Sequence, residues 1–328
     1  QQREGIDFTE TFAPVSKYSS TRGVLAVAAA EGWEVQQLDV KTAFLQGRLQ
    51  EQVYVVQPPG YSDGTGRVCL LYKALYGLKQ APRAWHEHMH EQLVQLGYSV
   101  SVADPGLYLC TRSEPAGERI VLLVYVDDML LASPSAEAVE QAKEVLLSTF
   151  DAREMGSVSD FVGMHITRDL QQGTLKISNE RMIADLLQKY GMSDANGREV
   201  PLSRGAVLKR DEGKPLDQRQ YPYSALVGSL LYLAVTVRPD ISYSVGVLSK
   251  YMSCPTMSHW LAAKGVLRYL AGTPSVGITY SSGSGGGDLV GWCDADFAGD
   301  LDTRKSTTGY VFTISGGAVS WSSKRQPT

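Results

Sequence analysis

Apolar residues run almost unbroken from Ile120 to Val126 and resume from Met129 to Ala132, with Asp127 and Asp128 between the two runs. Short continuous apolar runs rich in Val, Leu and Ile predict buried strands. The pattern therefore predicts a tight hairpin whose turn carries two adjacent carboxylates. Upstream, Thr21 to Ala30 predicts a short helix, capped by Ser19 or Ser20 and ended by Gly32. A strand from about Trp33 to Val40 follows, with Asp39 at its C-terminal end, and Gln52 to Val56 predicts another. Pro82 suits the first turn of a helix. The apolar stripe of that helix is Trp85, Met89, Leu93 and Leu96, and Gly97 stops it. After the hairpin, Ser133-Pro134 predicts the cap of a helix reaching about Thr149. A second hairpin is predicted from Phe161–Ile166 and Thr174–Ile177 across Gln172-Gly173, then an amphipathic helix from Asn179 to Tyr190. Gln218 to Gly272 reads as helical with breaks near Pro239 and Pro255. A Ser- and Gly-rich linker at 281–287 precedes strands at Leu289–Cys293, Tyr310–Ile314 and Ala318–Trp321.

The bulk numbers change this picture little. A chain of 328 residues fits two domains or three small ones. Thirty-one basic against 35 acidic residues give a net charge of −4, so any nucleic-acid binding must come from local basic patches. Cys69, Cys110, Cys254 and Cys293 lie far apart and suggest free thiols in a reducing compartment. No apolar run is long enough to span a bilayer, so no membrane partner is expected. The chain starts at Gln1-Gln2-Arg3-Glu4 and stops at Arg325-Gln326-Pro327-Thr328, and reads as a fragment of something longer.

Asp127 and Asp128 change the picture more. Two anionic side chains held at one turn repel each other and lose solvation, and a hard divalent cation with oxygen ligands relieves both costs. An isolated Asp-Asp can equally be a plain β-turn. Three stretches decide between these readings: Leu38-Asp39-Val40-Lys41-Thr42-Ala43-Phe44-Leu45, Leu75-Tyr76-Gly77-Leu78-Lys79-Gln80-Ala81-Pro82-Arg83-Ala84-Trp85, and Tyr125-Val126-Asp127-Asp128. In that order they closely resemble the reverse transcriptase of copia-type LTR retrotransposons. The likeness runs from Phe12-Ala13-Pro14-Val15 to the C-terminus.

The resemblance implies an α+β fold, a right-hand polymerase of fingers, palm and thumb, followed by a helical connection and a truncated ribonuclease-H-like sheet. The corresponding segments are 1–168 for fingers and palm, 169–280 for thumb and connection, and 281–328 for the ribonuclease-H-like part. It implies RNA-directed DNA polymerisation with Mg²⁺ or Mn²⁺, on an RNA template with a DNA or RNA primer and deoxynucleoside triphosphates. Integrase and protease segments of a Pol polyprotein would be further partners, in virus-like particles of the cytoplasm and for integration in the nucleus. Nucleotide addition by two metal ions about 3.5–4 Å apart needs carboxylates converging from separate strands. The resemblance assigns Asp39 and Asp127 as main ligands and Asp128 as the third carboxylate. It places Lys17, Arg22, Val40, Phe44, Gly77, Tyr125 and Val126 at the nucleotide, with Phe44 as a ring under the sugar that excludes a 2′-hydroxyl. Phe161, Gly163 and Met164 fall in a primer-grip hairpin.

Trp292-Cys293-Asp294-Ala295-Asp296 resembles the start of the family's ribonuclease H domain, with Asp294 as its first carboxylate. One ligand cannot hold two ions, so this part is expected to be inactive. Two other readings compete. His86-Glu87-His88-Met89-His90 matches the H-E-x-x-H pattern of zinc proteases on a predicted helix, but beside its apolar stripe and without a third ligand. The other is an inactive transposon relic or binding protein.

Overall fold

A computed structural model describes residues 2–111, 119–203, 208–210, 213–283 and 287–327. The predicted 281–287 linker lies partly outside these residues. The chain forms two compact units: Gln1–Thr21 with Trp33–Val158, and Arg22–Gly32 with Ser159–Thr328. Helix α1 (Tyr18–Glu31) contributes to both. It starts three residues before the predicted Thr21, so Ser19 and Ser20 lie inside it, and it ends at Gly32 with φ +72°.

The first unit contains β1 (Glu34–Val40), α2 (Ala43–Gln46), β2 (Arg48–Val56), β3 (Val68–Lys73), α3 (Ala81–Gln95), β4 (Ser99–Val100), β5 (Leu107–Thr111), β6 (Arg119–Tyr125), β7 (Asp128–Ser133), α4 (Ala136–Thr149) and β8 (Ala152–Ser157). Six of the strands form one antiparallel sheet in the order β4-β5-β6-β7-β1-β8, and β2 and β3 form a separate two-stranded ribbon. Ile120 to Val124 and Met129 to Ser133 are buried without a break, as the apolar runs predict. Under one face of the sheet, Leu38, Val40, Leu122, Val124, Met129 and Leu131 pack with Trp85, Met89 and Leu93 of α3 and with Val139 and Leu146 of α4. Trp85, Met89 and Leu93 recur every four residues, which lines one side of α3.

The cap of α4 is Ser135, whose hydroxyl accepts from Ala138 N at 3.1 Å. The predicted cap, Ser133, is still paired with Glu34 in the sheet ladder and cannot start a helix.

The second unit adds β9 (Asp160–Phe161), β10 (Met164–Asp169), β11 (Thr174–Ser178), α5 (Glu180–Lys189), α6 (Tyr223–Thr236), a 3₁₀ turn (Pro239–Ile241), α7 (Ser242–Ser249), α8 (Met257–Gly272), β12 (Ile278–Ser281), β13 (Val290–Ala295), β14 (Thr307–Ile314) and β15 (Gly317–Arg325). Its sheets run β12-β11-β10-β9 and β13-β14-β15. Residue 168, the expected end of fingers and palm, lies within β10, and the second expected boundary, after 280, falls one residue before the end of β12. Strand β15 packs on α7, and Trp321 Nε1 donates to Ala234 O of α6 at 2.8 Å. Strand β13 is exposed along its length. The architecture is thus a mixture of α and β, with eight α-helices and four sheets among the described residues.

Candidate active site

In the β6–β7 hairpin Tyr125 pairs with Asp128, so Val126 and Asp127 alone make the turn. Val126 has φ +59°, a left-handed backbone that a β-branched residue adopts only under strain. Two bonds hold it there. Trp85 Nε1 donates to Val126 O at 2.7 Å, and Val40 N donates to Asp127 O at 2.9 Å.

Strand β1 lies between β7 and β8, and its register sets Asp39 opposite both Asp128 and Arg153. Cross-strand partners share a face. Leu38 and Val40 alternate to the opposite, core face. Arg153 Nε donates to Asp39 Oδ2 at 2.8 Å, and Gln37 Nε2 donates to Asp128 Oδ1 at 3.2 Å. Burial raises the Asp128 pKa above the ordinary carboxylate range. The charges of Asp127 and Asp39 push the same way, against the Gln37 hydrogen bond and the charge of Arg153. Three carboxylates are thus close enough to feel one another, and Asp128, assigned as the third, is the one that the register sets opposite Asp39.

Their chemistry fits a hard divalent cation, which takes oxygen donors and relieves the mutual repulsion. Among the described residues, however, no three His, Cys, Asp or Glu side chains are arranged to hold a metal ion. Asp39 Oδ2 is engaged by Arg153, which competes with a cation for that oxygen and leaves Oδ1 to ligate.

Phe44 sits in the short helix α2, half-buried, with its ring centroid 4.9 Å from that of Tyr76. Gly77 has φ +99°, and a Cβ there would meet nothing within 4 Å. A positive φ is a conformation that glycine adopts without strain. Val40 is buried and contributes its backbone N–H to the turn, while Tyr125 lies on the strand leading into it. Lys17 binds its own unit: its backbone N donates to Asp104 Oδ2 at 2.8 Å and its Nζ to Ala103 O at 2.7 Å.

Arg22 has a different place from the expected phosphate contact. It is only 4% exposed, donates to the carbonyls of Val319, Val235 and Thr236 at 2.8 Å each, and lies over the Trp321 ring. It is an internal clamp of the second unit. Phe161 and Met164, expected at the primer, are fully buried beneath the Val162-Gly163 turn, of which Gly163 is exposed. Asp294 is exposed on β13, with Oδ1 accepting from Ala295 N at 2.8 Å.

The zinc-protease pattern does not assemble. His86 and His90 stack with centroids 6.2 Å apart, and Glu87 accepts from Arg83 at 2.8 Å. His90 Nδ1 lies 3.1 Å from the Tyr108 hydroxyl. Sequence reasoning missed Arg153, Gln37 and the role of the Trp85 indole. Trp85 was legible only as a core residue, and nothing in Asp151-Ala152-Arg153-Glu154 marks the strand that carries Arg153 to the site.

The chain belongs to the reverse transcriptase (RNA-dependent DNA polymerase) family, whose profile matches residues 1–204. Its relatives include the retrovirus-related Pol polyproteins from transposon TNT 1-94 of Nicotiana tabacum and transposon RE2 of Arabidopsis thaliana. Each is 42% identical over 99% of this chain, which spans 25% and 22% of their lengths respectively. A putative transposon Ty5-1 protein of Saccharomyces cerevisiae is 36% identical over 88% of this chain and 92% of its own. The resemblance to copia-type retrotransposon Pol proteins is borne out. Among the described residues no helix is long and apolar enough to cross a membrane.

Proposed function

We propose that this chain is an RNA-directed DNA polymerase that extends a primer with deoxynucleotides on an RNA template. One observation carries the reading: the β1–β7 register sets Asp39 opposite Asp128 beside a strained two-residue turn that holds Asp127. Three carboxylates from two strand ends are the donor set that two-metal phosphoryl transfer requires. Asp39, Asp127 and Asp128 would hold Mg²⁺ or Mn²⁺. When bound, such ions promote ionisation of the primer 3′-hydroxyl and neutralise the triphosphate.

The chain's own residues do the rest. The Trp85 and Val40 hydrogen bonds hold the carboxylate turn, Gly77 leaves room for the nucleotide, and Phe44 closes on the sugar. Lys17, exposed near the start of α1, supplies positive charge for phosphate. Fingers and palm, 1–168, fall mostly in the first unit; the primer-grip hairpin at 161–166, near the end of that segment, lies in the second unit together with the thumb and connection at 169–280. Asp294 is a ribonuclease H remnant. The other segments of a Pol polyprotein are the expected partners.

Primer extension on an RNA template with Mg²⁺ tests this. Incorporation that vanishes in Asp127→Asn supports the reading. A folded wild-type chain that extends no primer at any Mg²⁺ or Mn²⁺ concentration overturns it in favour of a relic or binding protein.

A further inference from the structure

The hairpin read above as the primer grip is held by more than its own ladder. Val162 and Gly163 both have positive φ, 49° and 73°, the signature of a two-residue type I′ turn. Phe161 and Met164 pair on either side of it and are buried. An exposed turn of this kind ordinarily leaves its carbonyls to water. Here both go to side chains from two different helices. Gly163 O accepts from Asn179 Nδ2 at 2.6 Å, and Val162 O accepts from the Tyr232 hydroxyl of α6 at 3.3 Å. Asn179 is also the cap of α5, with Oδ1 accepting from Met182 N at 3.0 Å. One amide thus joins the start of α5 to the turn. Gly163 completes the fit, because a Cβ there would run into the Tyr232 hydroxyl.

We infer that Asn179 and Tyr232 are positioning residues: they fix the 162–163 turn against α5 and α6 so that it presents one backbone shape to the primer strand. The inference rests on the primer-grip reading. With its two carbonyls tied to the start of α5 and to α6, the turn is restrained at two points. Released, it becomes an ordinary exposed hairpin tip, free on the fast timescale of loops. The loss falls on the grip of the primer–template duplex rather than on nucleotide addition, because neither residue belongs to the carboxylate site.

Two variants separate this role from plain stability. Asn179→Asp keeps an acceptor for Met182 N, and its charge suits a helix N-terminus, but it cannot donate to Gly163 O. Tyr232→Phe removes only the hydroxyl. Each should weaken primer–template binding and speed its dissociation by about five-fold, the size of one hydrogen bond. The KM for deoxynucleotide and the single-nucleotide kcat should stay within about two-fold, and Asn179→Asp should melt no lower than wild type. Gly163→Ala alone should be severe, and Tyr232→Phe combined with it should recover part of the binding.

The measurements are anisotropy with a labelled primer–template, extension against a trap, and thermal melts. Unchanged binding and dissociation in both variants overturn the inference while wild-type extension stands. A melt lowered in Asn179→Asp leaves Tyr232→Phe to decide. A wild type that binds the duplex but does not extend it sinks the polymerase reading, and the anisotropy arm still tests the turn.

Discussion

Arg153 Nε donates to Asp39 Oδ2 at 2.8 Å, and the two residues are also partners across the β1–β8 ladder. The pair is fixed twice, by backbone register and by side-chain charge. The guanidinium stands where a cation would be expected beside Asp39, and it also opposes the repulsion that Asp127 and Asp39 exert on Asp128.

Arg153→Gln should therefore let a divalent cation bind more tightly while leaving the cation-free protein slightly less stable. The Arg153 side chain is 60% exposed, so the competing ion pair contributes at most about 1 kcal/mol and the gain in affinity should not exceed about five-fold. Titration with Mn²⁺ followed by its paramagnetic signal measures this without reference to activity. Unchanged affinity would mean that the ion pair does not compete with a cation, and weaker affinity that Arg153 helps to hold the cation site instead.

Trp85→Phe should keep most of the packing of α3 against the sheet but remove the donor to Val126 O. The left-handed Val126 then loses one of its two restraints. A stability loss of about 1–2 kcal/mol is expected from the hydrogen bond and the altered packing. The fall in extension rate should exceed what the remaining folded fraction explains. Denaturant melts beside single-nucleotide incorporation on the same preparation check both.

Much of this arrangement was legible beforehand, and the failures have physical causes. The runs around Asp127-Asp128 and the Trp85, Met89, Leu93 stripe named their elements because burial imposes a period on the residue types. Strand β8, by contrast, is exposed at Arg153, Glu154, Met155 and Ser157 and reads Ala-Arg-Glu-Met-Gly-Ser, with no apolar period to announce it. Arg153 was invisible for that reason. Ser133 looked like a cap because serine suits one, yet ladder pairing carries the strand through it. Arg22 looked like a phosphate contact because the resemblance puts it in the fingers and a guanidinium suits phosphate. Three carbonyls and an indole ring bury it instead.

Phe44→Ala should raise ribonucleotide incorporation relative to deoxynucleotide by about 10-fold or more, in line with steric discrimination of about 1–3 kcal/mol. The Tyr76 ring beside Phe44 can lean into the gap and limit the effect. Competing incorporation of the two sugars by the same variant is the measurement. Unchanged discrimination in an active variant would return Phe44 to a packing role.

His86 and His88 are both held below the ordinary histidine pKa, mainly by burial. The unfolded chain then binds protons that the folded chain does not. Stability is complete above about 6.5, the usual histidine value, and falls as pH drops toward the lowered folded pKa values. His86→Phe should flatten that slope below pH 6.5 without abolishing it, since His88 titrates in the same sense. Melting temperatures from pH 7.5 to 5 show it, and a variant with the wild-type slope would remove His86 from the account.

The chain should cleave no RNA–DNA hybrid. Asp296 Oδ1 already accepts from Gly299 N and Thr307 N, and Asp300 is buried against Lys250 and Thr303. Asp296 lines one cavity with Asp294, but with Oδ1 committed to two backbone N–H groups, and with no third such side chain grouped with them among the described residues, the pair offers too few oxygens for two ions. Hybrid cleavage that disappears in Asp294→Asn would show that another carboxylate completes the site.

The side-chain period of β1 has a consequence for how this gene can change. Asp39 faces the carboxylate site because Leu38 and Val40 face the core, and a strand shifted by one residue exchanges the two faces. Deleting one codon between 34 and 38 would drive the carboxylate of Asp39 inward and turn an apolar side chain toward Asp128, with the reading frame intact and all three carboxylates still encoded. The same deletion at 58–67, where each residue is exposed, would only shorten a loop. Copies of this sequence that look complete by their motifs can therefore differ in competence by the parity of a single strand.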